Sequence, residues 1–266
     1  MLKDITLGQY FPGDTLAHRL DPRTKLLVTV LYIIALFCAE GLIGYGIMAL
    51  VLIVSAAVSH VGAKALLRGL RPVLFIIAFT AILNLFYTPG TPIVQFWVLK
   101  ITREGVKMAA SMMARITLLI TGTFLLTYTT SPIAITDGLE SLLRPLKKLG
   151  APVHELAMMM SIALRFIPTL IEETDKIMSA QKARGADFES GNLLQRAKAL
   201  IPLLVPLFIS AFRRADELAT AMECRCYHGG EGRTKLHVLR FALRDYLVLG
   251  GYAALCIGVI ALKNIV

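Results

Sequence analysis

The sequence predicts an all-α protein: a polytopic membrane helical bundle with a further set of cytoplasmic or interfacial helices. Composition is the first reason, because 56% of the 266 residues are apolar and the mean hydropathy is +0.67. Soluble domains are only about 45–50% apolar, on a broader count that includes glycine. The second reason is that several apolar runs approach or exceed the roughly 20 residues that a helix needs to cross a bilayer.

Five apolar runs predict membrane spans. The run 26–61 is too long for one span, and Glu40-Gly41 interrupts it, so we divide it into two spans joined by a tight turn. The five predicted spans cover 25–39, 41–59, 70–87, 108–129 and 243–262. The chain is thus predicted to have an N-terminal segment (1–24), four spans (25–129), a different module (130–241) and a last span (242–266).

The basic residues predict the orientation of these spans. The net charge is +10, and basic residues of short loops mark the cytoplasmic side of membrane proteins. They precede the first span and lie between the second and third, so we expect the N-terminus and module 130–241 to be cytoplasmic. The turn at Glu40 and residues 88–107 are then outside, although the latter also carry basic residues. The basic residues that set this orientation are Arg19, Arg23, Lys25, Lys64, Arg68 and Arg71.

The module 130–241 holds two apolar stretches, 155–171 and 200–212, which also contain prolines and are flanked by charges. These features argue against simple spans. We therefore predict helices that lie in the cytoplasm or against the bilayer. The alternative, in which one or both stretches cross the membrane as a hairpin, stays open.

An internal repeat occurs within this module. TDKIMSAQKARGA (174–186) aligns with ADELATAMECRCY (215–227) at a shift of 41 residues. Both segments lack proline and are rich in helix-forming residues, which predicts two helices of about 13 residues and ~20 Å. Arg184 and Arg225 fall at the C-terminal tips, and Gly185 supplies a helix stop.

The paired tips suggest a partner with two similar sockets. Arginine suits a socket lined by carboxylates or carbonyls, because its planar fork forms paired hydrogen bonds that lysine does not. A plainer alternative is that each arginine only neutralises the last carbonyls of its own helix.

Several other classes of function lack their sequence signals. No P-loop, HExxH or GxSxG motif is present, so we predict no catalytic residues and no enzyme activity. Cys224-x-Cys226 with His228 is a weak metal pattern, because two thiols at this spacing diverge on a helix, and we predict no metal or cofactor. A self-sufficient carrier would need polar residues inside the spans, where no run of carboxylates occurs. No interleaved basic and aromatic pattern indicates nucleic acid.

Four segments together resemble one known family over nearly the whole chain. They are GQYFPGDTLAHRLDPRTKLL (8–27), MMMSIALRFIPTLIEE (158–173), AQKARGADF (180–188) and AMECRCY (221–227). The chain resembles the transmembrane coupling component, the T subunit (EcfT), of energy-coupling factor ABC transporters.

The resemblance implies a non-catalytic subunit in the plasma membrane of a prokaryote. Its coupling helices would dock on two ABC ATPase subunits and, by another face, on a membrane S component that binds a vitamin or a metal ion. Carried onto this sequence, the two docking motifs are Ala183-Arg184-Gly185 and Cys224-Arg225-Cys226. Cysteine flanks Arg225 where the family more often has Ala, Gly or Ser, so the contact at Cys226 is the less certain one. A T subunit of a dedicated cobalt or nickel importer is the alternative, although the Ala-Arg-Gly form and the GQYFPGD opening are more typical of the shared vitamin type.

Overall fold

The computed structural model describes residues 10–96, 99–188, 192–229 and 238–265. The predicted all-α fold is confirmed, with one short β-hairpin added to the described helices. The helices are α1 (Pro22–Cys38), α2 (Gly41–Val58), α3 (Ala63–Leu70), α4 (Leu74–Tyr87), α5 (Arg103–Thr129), α6 (Pro132–Leu143), α7 (Val153–Ala183), α8 (Leu193–Glu223) and α9 (Leu243–Ile265). The hairpin consists of β1 (Pro92–Phe96) and β2 (Leu99–Thr102).

The described residues form two compact units. The first, here called the bundle unit, combines residues 10–142 with 238–265 and so contains α1 to α6, the hairpin and α9. The second, the paired-helix unit, covers residues 143–229 and contains α7 and α8. A short 3₁₀ segment, Arg144–Leu149, opens the second unit.

Helices long and apolar enough to span a membrane are present in both units. Six such segments occur in the described part of the chain, judged by length and composition alone. They are Gly41–Val58, Ala63–Tyr87, Arg103–Thr129, Val153–Ala183, Leu194–Glu223 and Leu243–Leu262. Helix α1 has 17 residues, which is at the lower end of the roughly 17–25 residues that a span requires.

The bundle unit is held together by a small apolar core. Residues at helical spacing on α1 and α2 pack with two residues of α9, while α5 packs against the same cluster. Many large apolar side chains remain exposed on the outer faces of these helices, as a surrounding hydrocarbon phase requires. The buried cluster consists of Tyr32, Ala35, Leu36, Ala39, Tyr45, Met48, Leu52, Cys256 and Val259.

One buried carboxylate joins the starts of α1 and α9. Asp245 is 2% exposed; its Oδ1 accepts a hydrogen bond from the Asp21 amide at 2.9 Å and its Oδ2 one from the Ala242 amide at 2.8 Å. Asp21 in turn caps α1 by accepting from the Arg23 amide at 2.9 Å. The two helices therefore begin at the same end of the bundle unit.

The first turn follows the prediction, and the third span differs from it. Helices α1 and α2 meet at Glu40-Gly41, where Gly41 has φ +68° in the left-handed region that glycine tolerates. The predicted span 70–87 extends back to Ala63, because Pro72 interrupts the α-helical ladder with only one 3₁₀ turn, Arg71–Val73. The loop predicted over 88–107 contains the antiparallel hairpin, and α5 begins within it at Arg103.

The two helices of the repeat are much longer than the sequence predicts. Each contains 31 residues rather than about 13, which corresponds to a length of ~46 Å. Each apolar stretch and its repeat segment form one continuous helix, because Pro168 in α7 and Pro202 and Pro206 in α8 are accommodated inside the helices. The predicted length of about 13 residues was therefore wrong. The sequence analysis took the prolines as an argument against simple spans, yet both helices are long and apolar enough to cross a membrane.

Candidate functional site: the paired tips of α7 and α8

Helix α7 ends in a Schellman turn that carries the first predicted motif. Gly185 has φ +86°, and its amide donates to the Lys182 carbonyl at 3.0 Å. The Ala186 amide donates to the Gln181 carbonyl at 3.0 Å. These two bonds are the pair that defines the motif, and they place Arg184 on the last helical position before the chain reverses.

Helix α8 ends in the same turn. Cys226 has φ +57°, and its amide donates to the Glu223 carbonyl at 2.8 Å. The Tyr227 amide donates to the Met222 carbonyl at 3.0 Å. Arg225 therefore occupies the same position as Arg184 in the first turn. The 41-residue repeat thus extends from the sequence to the backbone conformation and hydrogen bonding of both tips.

Both arginines are exposed at the ends of their helices. Four terminal carbonyls accept backbone amides within the two turns. Neither guanidinium forms a hydrogen bond or ion pair with any residue that the structure describes. The carbonyls that each arginine was expected to neutralise thus already have backbone partners. All six predicted site residues are exposed: Ala183, Arg184, Gly185, Cys224, Arg225 and Cys226.

Helices α7 and α8 run antiparallel and meet at equivalent positions of the repeat. Arg214 donates to Glu173 at 3.0 Å, and the Ser210 hydroxyl donates to the other oxygen of the same carboxylate. Glu173 and Arg214 are 41 residues apart, which is the shift that relates the two repeat segments. The two residues therefore occupy equivalent positions of the repeat. An approximate two-fold axis consequently passes through this ion pair.

The two tips lie equally far from that ion pair. Arg184 is 11 residues beyond Glu173, and Arg225 is 11 residues beyond Arg214. At about 1.5 Å per residue each arm measures ~16 Å. Because the helices are antiparallel, the arms extend in opposite directions, and the two arginines lie at opposite ends of the helix pair.

A second contact joins the arm of α7 to the root of α8. The root of each helix is the part that precedes the ion pair, up to Glu173 in α7 and up to Arg214 in α8. Pro206 has no amide hydrogen, so the Pro202 carbonyl loses its partner in the helical ladder. The Gln181 side chain supplies one, donating from Nε2 to that carbonyl at 3.3 Å. Sequence reasoning missed Gln181 and Glu173, although the prolines and the repeat contained the signals for both.

The bundle unit contains one further residue that sequence reasoning missed. Arg115 lies midway along α5 and donates to the Tyr45 hydroxyl at 2.8 Å. Its guanidinium also lies 5.7 Å from the Phe37 ring centroid and 5.8 Å from that of Tyr45. A lone charge in an otherwise uncharged predicted span was the available signal. The contacts show that Arg115 ties α5 to the end of α1 and the start of α2.

Comparisons with known proteins agree on one family. The model of the family described as cobalt transport protein, CbiQ, matches residues 13–236. A protein of Ruminiclostridium cellulolyticum is 55% identical over 250 residues, covering 94% of each chain. Proteins of Clostridium kluyveri (53% over 264 residues, 98% of each chain) and Bacillus subtilis (50% over 250 residues, 94% of each chain) are similar too. All three are named energy-coupling factor transporter transmembrane protein EcfT.

Proposed function

The chain belongs to the EcfT family of energy-coupling factor transporter transmembrane proteins, and we propose that it is the subunit that links two ABC ATPases to a substrate-binding S component. In this proposal the chain itself hydrolyses no ATP. It transmits movement from the ATPases to the membrane-embedded partner, and thereby drives uptake of a vitamin or other micronutrient.

The observation that carries this proposal is the structural equivalence of the two tips. A dimer of ATPases has two related grooves, whereas this chain is a single copy. One chain can occupy two related grooves if it repeats one docking element within itself. The Schellman turns at Arg184 and Arg225, equidistant from the Glu173–Arg214 pair, are such an element.

The chemistry of the grooves follows from the exposed guanidiniums. Each has five N–H donors with no partner among the described residues. A groove lined by carboxylates or carbonyls at a helix end would satisfy them, and paired hydrogen bonds would fix the angle at which each tip enters. We therefore expect acidic or carbonyl-rich grooves on both ATPases.

The apolar roots of α7 and α8 supply a second surface. Several large side chains of these roots are more than half exposed, and methionines among them suit a surface that repacks as a partner moves. We propose that this surface receives the S component. The residues concerned are Leu156, Met159, Met160, Ile201, Val205, Phe208, Ile209 and Phe212.

The polarity of α7 supports a location at the cytoplasmic surface. A helix of ~46 Å exceeds the ~30 Å hydrocarbon core, and five of the seven charged residues of α7 lie between Glu172 and its C-terminus. We propose that the helix pair lies along the cytoplasmic face of a prokaryotic plasma membrane, with the apolar surface of the roots at the bilayer and both tips in the cytoplasm, where the ATPases are.

A dedicated cobalt or nickel importer is the second candidate, favoured by the description of the matching family model. The two candidates differ in the S component and not in the tips. Purification of the tagged chain from native membranes, with identification of what accompanies it, distinguishes them. Several different small hydrophobic partners indicate a shared vitamin system, and a single one indicates a dedicated system.

Reversing the tip charges tests the coupling role. Arg184→Glu and Arg225→Glu should each weaken assembly with the ATPases by an amount on the order of a few kcal/mol, because like charges would meet in the groove. Arg213→Glu, also exposed and on α8 but 12 residues from the tip, is the matched control. Normal recovery of both ATPases and normal ATP-driven uptake in both tip variants would refute the docking role.

A further inference from the structure

A cavity of about 390 Å³ lies within the bundle unit. Its walls come from the starts of α1 and α9, the ends of α2 and α5, and the residues just before α1. All of these belong to one end of the bundle unit. The volume falls within the roughly 300–1,000 Å³ of small-molecule pockets.

The wall of the cavity is mainly apolar and elongated along the helices. It extends on α1 from Lys25 to Tyr32 and on α9 from Arg244 to Tyr252, a depth of about 10–12 Å at the helical rise. The hydroxyls of Ser55 and Tyr252, 2.7 Å apart, satisfy each other at the inner end. A ligand reaching that end is therefore surrounded by groups that require no polar partner from it.

The outer end of the cavity carries two cations in different states. The Lys25 ammonium is buried and donates to the carbonyls of Thr129 at 2.9 Å and His18 at 3.2 Å. The carboxylates of Asp21 and Asp245 lie close enough to interact with its charge. Arg244 is exposed and forms no hydrogen bond or ion pair with the described residues. The cavity mouth thus presents the guanidinium of Arg244, which has no partner within the described part of the chain.

We propose that this cavity binds one acyl chain of an anionic phospholipid of the bilayer, with the lipid phosphate at Arg244. An apolar channel with a cation at one end matches an amphiphile with an anionic head. Basic pockets between membrane helices bind the head groups of anionic lipids. The surrounding bilayer supplies such lipid at high concentration. This proposal does not depend on the ATPase or S-component partners.

Titration of the purified full chain with defined lipids tests the proposal by native mass spectrometry. Phosphatidylglycerol and phosphatidylcholine of identical acyl chains are the two probes. Arg244→Gln should weaken phosphatidylglycerol binding about fivefold, the contribution of one basic residue near an anionic surface, and leave phosphatidylcholine unchanged. Val248→Phe, which fills the cavity, should weaken both.

Two matched variants serve as controls. Arg240→Gln removes an exposed charge just outside the cavity lining, and Ile257→Phe enlarges an exposed side chain of α9 away from it. Both should bind the two lipids as the unchanged protein does. An equal loss in Arg240→Gln and Arg244→Gln, or unaltered binding in Val248→Phe, would overturn the proposal.

Photo-crosslinking of the unchanged protein gives a test that needs no variant. Phosphatidylglycerol with a diazirine in its acyl chain should crosslink to the lining segments of α1, α2, α5 and α9 at a single copy per chain. Crosslinks confined to the outer faces of the helices would contradict the assignment. Recovery of a free fatty acid in place of phospholipid would contradict it as well.

Discussion

At the scale of single residues, the second tip contains a conformational cost that the first avoids. Gly185 and Cys226 occupy equivalent positions with positive φ, but only glycine adopts that region without a clash between Cβ and the backbone. Among the residues that the structure describes, no atom other than those of Gly185 and its two chain neighbours lies within 4 Å of a Cβ built there, so the local backbone conformation is what disfavours a side chain. The α8 tip therefore keeps its turn at a cost of about 1–2 kcal/mol.

This difference predicts opposite effects of two substitutions. Cys226→Gly should stabilise the α8 turn by about 1 kcal/mol, and Gly185→Ala should destabilise the α7 turn by a similar amount. Hydrogen exchange of the tip amides, corrected for intrinsic rates, measures both. We expect exchange at Tyr227 to slow in the first variant and exchange at Ala186 to accelerate in the second. Effects of the same sign would contradict the strain assigned to Cys226.

At the scale of elements, α7 and α8 depend on contacts that replace missing backbone bonds. The Gln181 amide binds the Pro202 carbonyl that Pro206 leaves without a helical partner. Together with the Glu173–Arg214 pair, this contact sets how the helices cross. The neighbouring helix thus supplies a hydrogen bond that the internal prolines remove from the backbone of α8.

A double-mutant cycle isolates this replacement. Gln181→Met should destabilise the helix pair by about 1 kcal/mol, the value of one hydrogen bond. In a Pro206→Ala background the same change should have little effect, because the restored amide then bonds the Pro202 carbonyl. The shift in thermal unfolding midpoint of the purified protein reports both values. Additive effects would show that Gln181 acts elsewhere.

The sequence predicts these elements correctly where the local sequence determines the conformation, and incorrectly where contacts with a neighbouring helix determine it. The apolar character of α2, α4, α5 and α9, the turn at Gly41 and the two equivalent helix ends follow from hydropathy, glycine conformation and the repeat. The continuity of α7 and α8 does not, because whether Pro168 or Pro206 ends a helix depends on a neighbour such as Gln181. The hairpin over 92–102 was missed for a related reason, since two short strands have little hydrophobic pattern of their own.

At the scale of the whole molecule, the distribution of basic residues predicts the side of the membrane on which the tips lie. Basic residues before α1 and between α2 and α4 predict that the arms are cytoplasmic and that the turn at Glu40 is outside. The cysteines provide the means to test this, because Cys224 and Cys226 are exposed while Cys256 is buried and Cys38 half-buried.

Labelling with a membrane-impermeant maleimide should therefore separate the two sides. In a Cys38→Ser background expressed without partner subunits, the tip thiols should react in inside-out vesicles and be protected in intact cells. A cysteine placed in the outer turn by Glu40→Cys should show the reverse pattern. Labelling of the tip thiols in intact cells would invert the predicted orientation and place both arms outside the cytoplasm.

The equal arms have a mechanical consequence. Forces on the two tips that obey the same two-fold axis have lateral components that are equal and opposite, so these cancel and the pair is not pushed sideways. What remains is a force along the axis and a torque about the Glu173–Arg214 contact, which changes the angle at which the two helices cross. Pro168 precedes Glu173 in α7, and Pro202 and Pro206 precede Arg214 in α8, whereas neither arm contains a proline. We therefore expect the arms to resist bending and any bending to occur in the roots.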